Sequence, residues 1–191
     1  MSQLLSSMTR PLCFACVLAL APAASAQRHP PEHGTPGARA SATVQGKGIA
    51  GTAELVEFTQ GTAVWVQVTL EATGLTPGLH GVHLHAVGTC EPDFGAAGGH
   101  FDPGPASNTD PDANHPFHMG DLPNLSVGQD GKGRFVAATT RVTLSAGPLS
   151  VFDADGTAII IHANPDQGIT GEPKSGVSGG PRVACGVVTR R

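Results

Sequence analysis

Two histidines stand two residues apart in the segment His80-Gly81-Val82-His83-Leu84-His85. On a β-strand that spacing projects His83 and His85 from one face, while Val82 and Leu84 turn toward a core. Two imidazoles side by side make half of a transition-metal site, although a lone His-x-His also occurs as a surface polar pair. His80 falls on the core-facing parity and reads as a hydrogen-bonded structural histidine. A second group follows in Gly98-Gly99-His100-Phe101-Asp102-Pro103 and His115-Pro116-Phe117-His118-Met119-Gly120-Asp121. There His115, His118 and Asp121 recur at three-residue steps, and imidazoles with a carboxylate suit a zinc-type N/O site. A third element is His162, which ends the apolar run Ala158-Ile159-Ile160-Ile161 at a sheet rim. Asp166 lies four residues on, where a carboxylate can orient a ligating ring.

The elements that must hold these residues are strands. Ala63 to Glu71 alternates Val64, Val66, Val68 and Leu70 with Ala63, Trp65, Gln67 and Thr69, the period-2 pattern of a half-buried strand. Ala42 to Gly48, Ile49 to Thr59, His80 to Val87, Arg134 to Val142, Ala158 to His162 and Arg182 to Thr189 are further strand segments separated by Gly and Pro breaks. Amphipathic helical periodicity is missing throughout, so the fold class is all-β, a sandwich or barrel. Gly88 to Asn124 and Ala163 to Pro181 are long, rich in Gly, Pro and Asp, and hold most of the remaining histidines. Structureless stretches of that length in a compact domain are usually functional.

Composition narrows the partners. The 191 residues suffice for one domain with its own core. A formal net charge of −4 argues against a polyanion binder, and the lack of tyrosine with a single tryptophan argues against single-stranded nucleic acid. Arg10, the apolar run Leu12 to Leu20 and Ala24-Ser25-Ala26 have the order of a cleaved signal, residues 1–26. That run is too short for a retained span, so no membrane contact is expected after its removal, and the chain is expected in the periplasm or outside the cell. Cleavage would remove Cys13 and Cys16 and make the net charge one unit more negative. The remaining Cys90 and Cys185 suggest one disulfide in an oxidising compartment. Residues 27–40, with His29 and His33, read as a flexible arm before a domain at 41–191.

Four motifs in order carry a resemblance: Gly78-Leu79-His80-Gly81-Val82-His83-Leu84-His85, Ala97 to Pro103, His118-Met119-Gly120-Asp121-Leu122-Pro123-Asn124, and Gly179-Gly180-Pro181-Arg182-Val183-Ala184-Cys185-Gly186-Val187. From about Ala42 to the C-terminus the chain resembles copper-zinc superoxide dismutases of the exported bacterial type. The resemblance implies a Greek-key β-sandwich or flattened barrel of about eight strands with two long functional loops. It implies one copper per chain on His83, His85, His100 and His162, and one zinc on His100, His118 and Asp121. His100 is then the bridging imidazolate, which leaves copper and takes a proton on reduction. Arg182 guides the anion, Asp166 links ligands of the two metals, and Cys90–Cys185 ties the metal loop to the last strand. The family's further zinc histidine is missing: Asn108 and Thr109 occupy its place. His115 is the expected replacement; the alternatives are Asp110, Asp112, or a weak or empty zinc site.

The expected reaction is disproportionation of superoxide to O₂ and H₂O₂, protecting against extracytoplasmic superoxide. A copper carrier on the same fold would need the ligands but neither Arg182 nor a bridging His100. A metallo-β-lactamase-type hydrolase fails, because His85 is followed by Ala86-Val87-Gly88. Lys174 stands either as part of the anion-steering field or as an ordinary solvated lysine. The sequence does not set the oligomeric state, and a homodimer is left open.

Overall fold

The computed structural model describes residues 34–104 and 108–191. The expected signal segment 1–26 and the tail histidines His29 and His33 lie outside the described residues. Three long strands, β1 (Thr35–Gly46), β2 (Ile49–Gln60) and β3 (Ala63–Thr73), form an antiparallel meander. From Val66 onward the alternation works as the pattern predicts, with Ala53 and Leu55 of β2 and Val66, Val68, Leu70 and Ala72 of β3 facing one core, but at the start of β3 Val64 is exposed and Trp65 is buried. Thr35 to Ala40, expected to belong to the arm over 27–40, instead pair with β2 through a bulge between Pro36 and Arg39.

Seven shorter strands complete the sheet: β4 (Gly78–His80), β5 (Val82–His85), β6 (Leu125–Val127), β7 (Lys132–Thr139), β8 (Ala158–His162), β9 (Arg182–Val187) and β10 (Thr189–Arg190). The hydrogen-bonded order is β4-β6-β7-β3-β2-β1-β9-β8-β5, with β10 on β1. Its two ends are consecutive in sequence, since only Gly81 separates β4 from β5. The sheet is therefore a nearly closed antiparallel barrel, and closure leaves few unpaired edges. Among the described residues there are ten strands, where the pattern gives seven segments and the resemblance about eight: the segment over 80–87 divides at Gly81, the last divides near Val188, and Leu125–Val127 is too short to read as a strand. Among the described residues the only helical element is a 3-10 turn at Phe94–Ala97.

The division at Gly81 is a change of partner. Before it, His80 pairs with Leu125; after it, Val82 to His85 pair with Ala158 to Ile161. Gly81 bonds both ways to the β8 end, its N–H to Asn164 O at 2.9 Å and its carbonyl from His162 N at 2.8 Å. Glu57 on β2 is a buried carboxyl away from the histidines. Its carboxylate accepts from Leu144 N at 2.6 Å, from Ser145 N at 2.9 Å and from the Ser145 hydroxyl. Burial pushes this carboxyl up, yet the Ser145 and Leu144 bonds outweigh it and the pKa lies below its ordinary value.

Candidate metal centre

All four side chains of β5 are buried, so His83 and His85 point not into solvent but beneath the loops 88–124 and 163–181. The 88–124 loop is stitched onto the strand: Phe101 N bonds Leu84 O and Leu84 N bonds Gly120 O, both at 2.9 Å. His100 and Asp121 thereby bridge to His85 and His83. The Gly98-Gly99 pair before His100 has a steric reason. A Cβ on Gly99 would lie 1.7 Å from Thr109 O, the carbonyl that accepts His100 N. The loop's other end is anchored by the disulfide Cys90–Cys185, which fastens it to β9.

Six imidazoles converge, each with one ring nitrogen held and the other buried without a hydrogen-bond partner, and four of them form one group. His83 Nε2 is held by Asp166 Oδ2 at 3.0 Å, His85 Nδ1 by Gly98 O at 3.0 Å and His162 Nδ1 by Gly180 O at 2.8 Å. His100 Nδ1 is held by Asp121 Oδ1 at 2.7 Å. The opposite nitrogens (His83 Nδ1, His85 Nε2, His100 Nε2 and His162 Nε2) are buried without a hydrogen-bond partner. One ligand atom from each of these four residues lies within 4.8 Å of the rest. Each unpaired buried polar atom costs roughly 1–3 kcal/mol, so four around one point are tolerated only if a cation takes their lone pairs.

Electrostatics favour that role. Burial, reinforced by His100, pushes His83 down to about 3 against the pull of Asp166. Burial takes His162 down to about 4 and lowers His85 and His100 as well. These rings are neutral at pH 7, with no proton competing for the lone pair. The all-imidazole set is the donor chemistry that suits copper.

The second cluster is built on Asp121. His118 Nδ1 and His115 Nδ1 each lie 3.2 Å from its Oδ2, and His100 Nδ1 is at its Oδ1. A tetrahedral zinc with ligands at about 2.0–2.1 Å has ligand–ligand edges of roughly 3.3 Å, which the two 3.2 Å spacings match and the 2.7 Å contact of His100 with Oδ1 does not. Burial lowers the His115 pKa, but its contacts with Asp121 through Nδ1 and with Asp166 through Nε2 more than offset that and raise it to about 9. By distance alone it is His83, and not the expected His118, that groups with His100, His115 and Asp121, although the Nε2 of His83 is already held by Asp166. Asp121 is held well below the usual carboxylate range: burial raises it, and its contacts with His100, His115 and His118 more than offset that.

Asp166 connects the clusters, with Oδ2 on His83 and Oδ1 on His115 Nε2 at 2.6 Å. It is placed by Asn124, whose amide donates to Asp166 O at 2.8 Å and accepts from Asp166 N at 2.9 Å. Asp110 and Asp112, the alternatives to His115, are engaged elsewhere. Asp110 Oδ1 accepts from Asp112 N and Ala113 N, and the Asp112 carboxylate accepts from Gly176 and Ser178. His80 is buried outside the cluster, with Nδ1 2.7 Å from His162 O and Nε2 2.8 Å from Thr76 O.

Arg182 lines a cleft of about 960 Å³ together with His162 and Lys174. Its guanidinium donates to Phe94 O at 2.6 Å and to Gly98 O at 2.5 Å. Gly98 O also receives His85 Nδ1, so the cation and that ring share one acceptor. Burial lowers the Arg182 pKa, with Asp93 countering, but a guanidinium remains charged at neutral pH. Sequence reasoning missed Arg141, whose Nη1 grips Pro116 O and His118 O at 3.1 and 3.0 Å. It also gave Asn124 no role, although that residue closes one of the motifs.

Comparison with known proteins agrees with this geometry. The copper/zinc superoxide dismutase (SODC) family profile matches residues 49–188. The Cu-Zn superoxide dismutase of Deinococcus radiodurans is 42% identical over 165 residues, covering 81% of this chain and 85% of that protein. That of Caulobacter vibrioides is 42% identical, covering 64% and 71%. Among solved structures, a SOD-like protein from Bacillus subtilis, crystallised as a double mutant, superposes with a TM-score of 0.61 at 34% identity, covering 77% of this chain and 95% of that one. The clock protein EA4 gives 0.63 at 27% identity, covering 78% and 92%. With the profile spanning most of the barrel and both loops, the chain belongs to the copper/zinc superoxide dismutase family.

Proposed function

We propose that this chain disproportionates superoxide at a copper held by His83, His85, His100 and His162, beside a zinc held by His100, His115, His118 and Asp121. The observation that carries the reading is the set of four neutral, buried imidazoles with open nitrogens within reach of one another. Copper, when bound, supplies the one-electron couple that oxidises one superoxide to O₂ and reduces a second, with two protons, to H₂O₂.

The chain's own residues do the rest. Arg182 presents a positive charge in a cleft on a protein of net negative charge, so anion capture depends on this local field. His100 holds its ring between the clusters: Nδ1 stays on the Asp121 side while Nε2, open and buried, can carry a proton. Asp166 keeps His83 and His115 in fixed ring orientations. Residues 1–26 act as a cleaved signal and the enzyme works outside the cytoplasm; the Cys90–Cys185 bond supports an oxidising location.

Metal quantification combined with superoxide turnover tests the reading. One copper and one zinc per active chain is the expected outcome. A fully active chain that binds copper but no zinc would remove His115, His118 and Asp121 from the proposed site.

A further inference from the structure

The loop 163–181 folds back on itself as an irregular hairpin. Ala163 N bonds Pro181 O at 2.7 Å, Asn164 N bonds Gly179 O at 3.0 Å and Gln167 N bonds Val177 O at 2.8 Å. Its far end, residues 168–176, is gripped from outside by one residue of the other loop. Asp112 Oδ2 accepts Gly176 N at 2.8 Å, Oδ1 accepts Ser178 N at 3.1 Å and Ser178 Oγ at 2.8 Å, and Asp112 O accepts Gly171 N at 2.9 Å. The residue is only 4% exposed, so its charge is sheltered, and three donors compensate it as a buried carboxylate requires. None of these bonds is made to a residue of the two clusters.

The gripped segment leads directly to the copper side. From Ser178 the chain passes through Gly179 to Gly180, whose carbonyl fixes His162 Nδ1, and then to Arg182. Gly179 has φ +109, and a Cβ there would sit 2.7 Å from His162 Cβ, so the backbone runs tight against the ring it orients. We infer that Asp112 is a positioning residue for superoxide turnover: it holds residues 171–178 in the register that lets Gly180 orient His162 and keeps Arg182 facing the cleft. The inference rests on the proposed copper site at His83, His85, His100 and His162.

The test uses metal-loaded full chain with Asp112→Asn, which keeps the side-chain size but loses the charge and one acceptor oxygen, and Ser178→Ala, which removes a single donor. Three readouts are taken: amide exchange at Gly171, Gly176 and Ser178, the Cu(II) electron paramagnetic resonance spectrum, and kcat/KM against ionic strength. In Asp112→Asn exchange is expected to rise about tenfold or more, the loss of one to two charge-assisted bonds. The copper spectrum should shift and the salt dependence flatten while metal content stays at the wild-type level. Ser178→Ala should move the same readouts in the same direction by less, and decides the matter if Asp112→Asn does not fold. Faster exchange with an unchanged copper spectrum and unchanged salt slope would make Asp112 a stabilising residue only and overturn the inference. Unchanged exchange would overturn it too. A wild-type protein lacking a nitrogen-ligated Cu(II) spectrum would instead refute the copper site itself.

Discussion

Removing the Arg182 charge should change how salt affects the enzyme more than how the enzyme holds copper. In Arg182→Ala the bonds to Phe94 O and Gly98 O are lost, but Gly98 O keeps its bond from His85 Nδ1 at 3.0 Å, so that ring stays oriented. What disappears is a unit positive charge at the wall of the cleft. For an anion about 5 Å away, Coulomb attraction is roughly 1 kcal/mol in water-like surroundings and about 3 kcal/mol at the effective dielectric of a partly buried site. Each 1.4 kcal/mol or so is tenfold, giving a loss in kcat/KM of about fivefold to a hundredfold at low salt. At about 0.1 M salt the screening length falls to roughly 10 Å, so wild-type turnover should decline with ionic strength while the variant's changes little. Pulse radiolysis over a salt series, with the Cu(II) spectrum as control, measures both. Arg182→Lys should recover part of the loss, since it restores charge without the guanidinium fork. An Arg182→Ala enzyme with wild-type kcat/KM at low salt and the wild-type salt slope would refute anion guidance by this residue.

Three further outcomes follow from the geometry. Asp166→Ala frees the rings of both His83 and His115, and should weaken zinc retention by about 10- to 100-fold in chelator competition; unchanged retention would contradict its linking role. Cys90→Ser with Cys185→Ser opens a 95-residue crosslink, and should lower unfolding free energy in urea by about 4–5 kcal/mol on a chain-entropy basis. Glu57 has a folded-state pKa below its unfolded value, so its stabilisation is present above the unfolded value of about 4.3 and is lost as pH falls through the folded one. Glu57→Gln should therefore cost roughly 2 kcal/mol near neutral pH and converge on wild type in acid; a pH-independent difference in urea midpoints would rule out the charge as the cause.

Much of the barrel was legible because period-2 alternation reports directly on burial, as in Val66, Val68 and Leu70. The spacing of His83 and His85 likewise predicted a shared face, since strand geometry is local. Local pattern could not show the exchange of partners at Gly81, where pairing shifts from β6 to β8. Nor could it show β1 beginning at Thr35, because Thr35-Pro36-Gly37 has the composition of a linker and becomes strand only by pairing with Thr59 and Phe58. At the site, the three-residue steps of His115, His118 and Asp121 were visible, but the choice among His115, Asp110 and Asp112 was not. That choice depends in part on bonds across fifty or more residues, His115 to Asp166 and Asp112 to Gly176, which leave no trace in spacing. Arg141 was silent for the same reason: its acceptors are backbone carbonyls, which every residue carries.

The most direct test of the central claim is anomalous diffraction from crystals of the metal-loaded protein, collected on either side of the copper and zinc edges. Two separate ions per chain are expected. The copper peak should lie among His83 Nδ1, His85 Nε2, His100 Nε2 and His162 Nε2, and the zinc peak among the Nδ1 atoms of His100, His115 and His118 and a carboxylate oxygen of Asp121, at about 2.0–2.2 Å. A single mixed peak, or a zinc coordinated without His115, would contradict the two-cluster assignment.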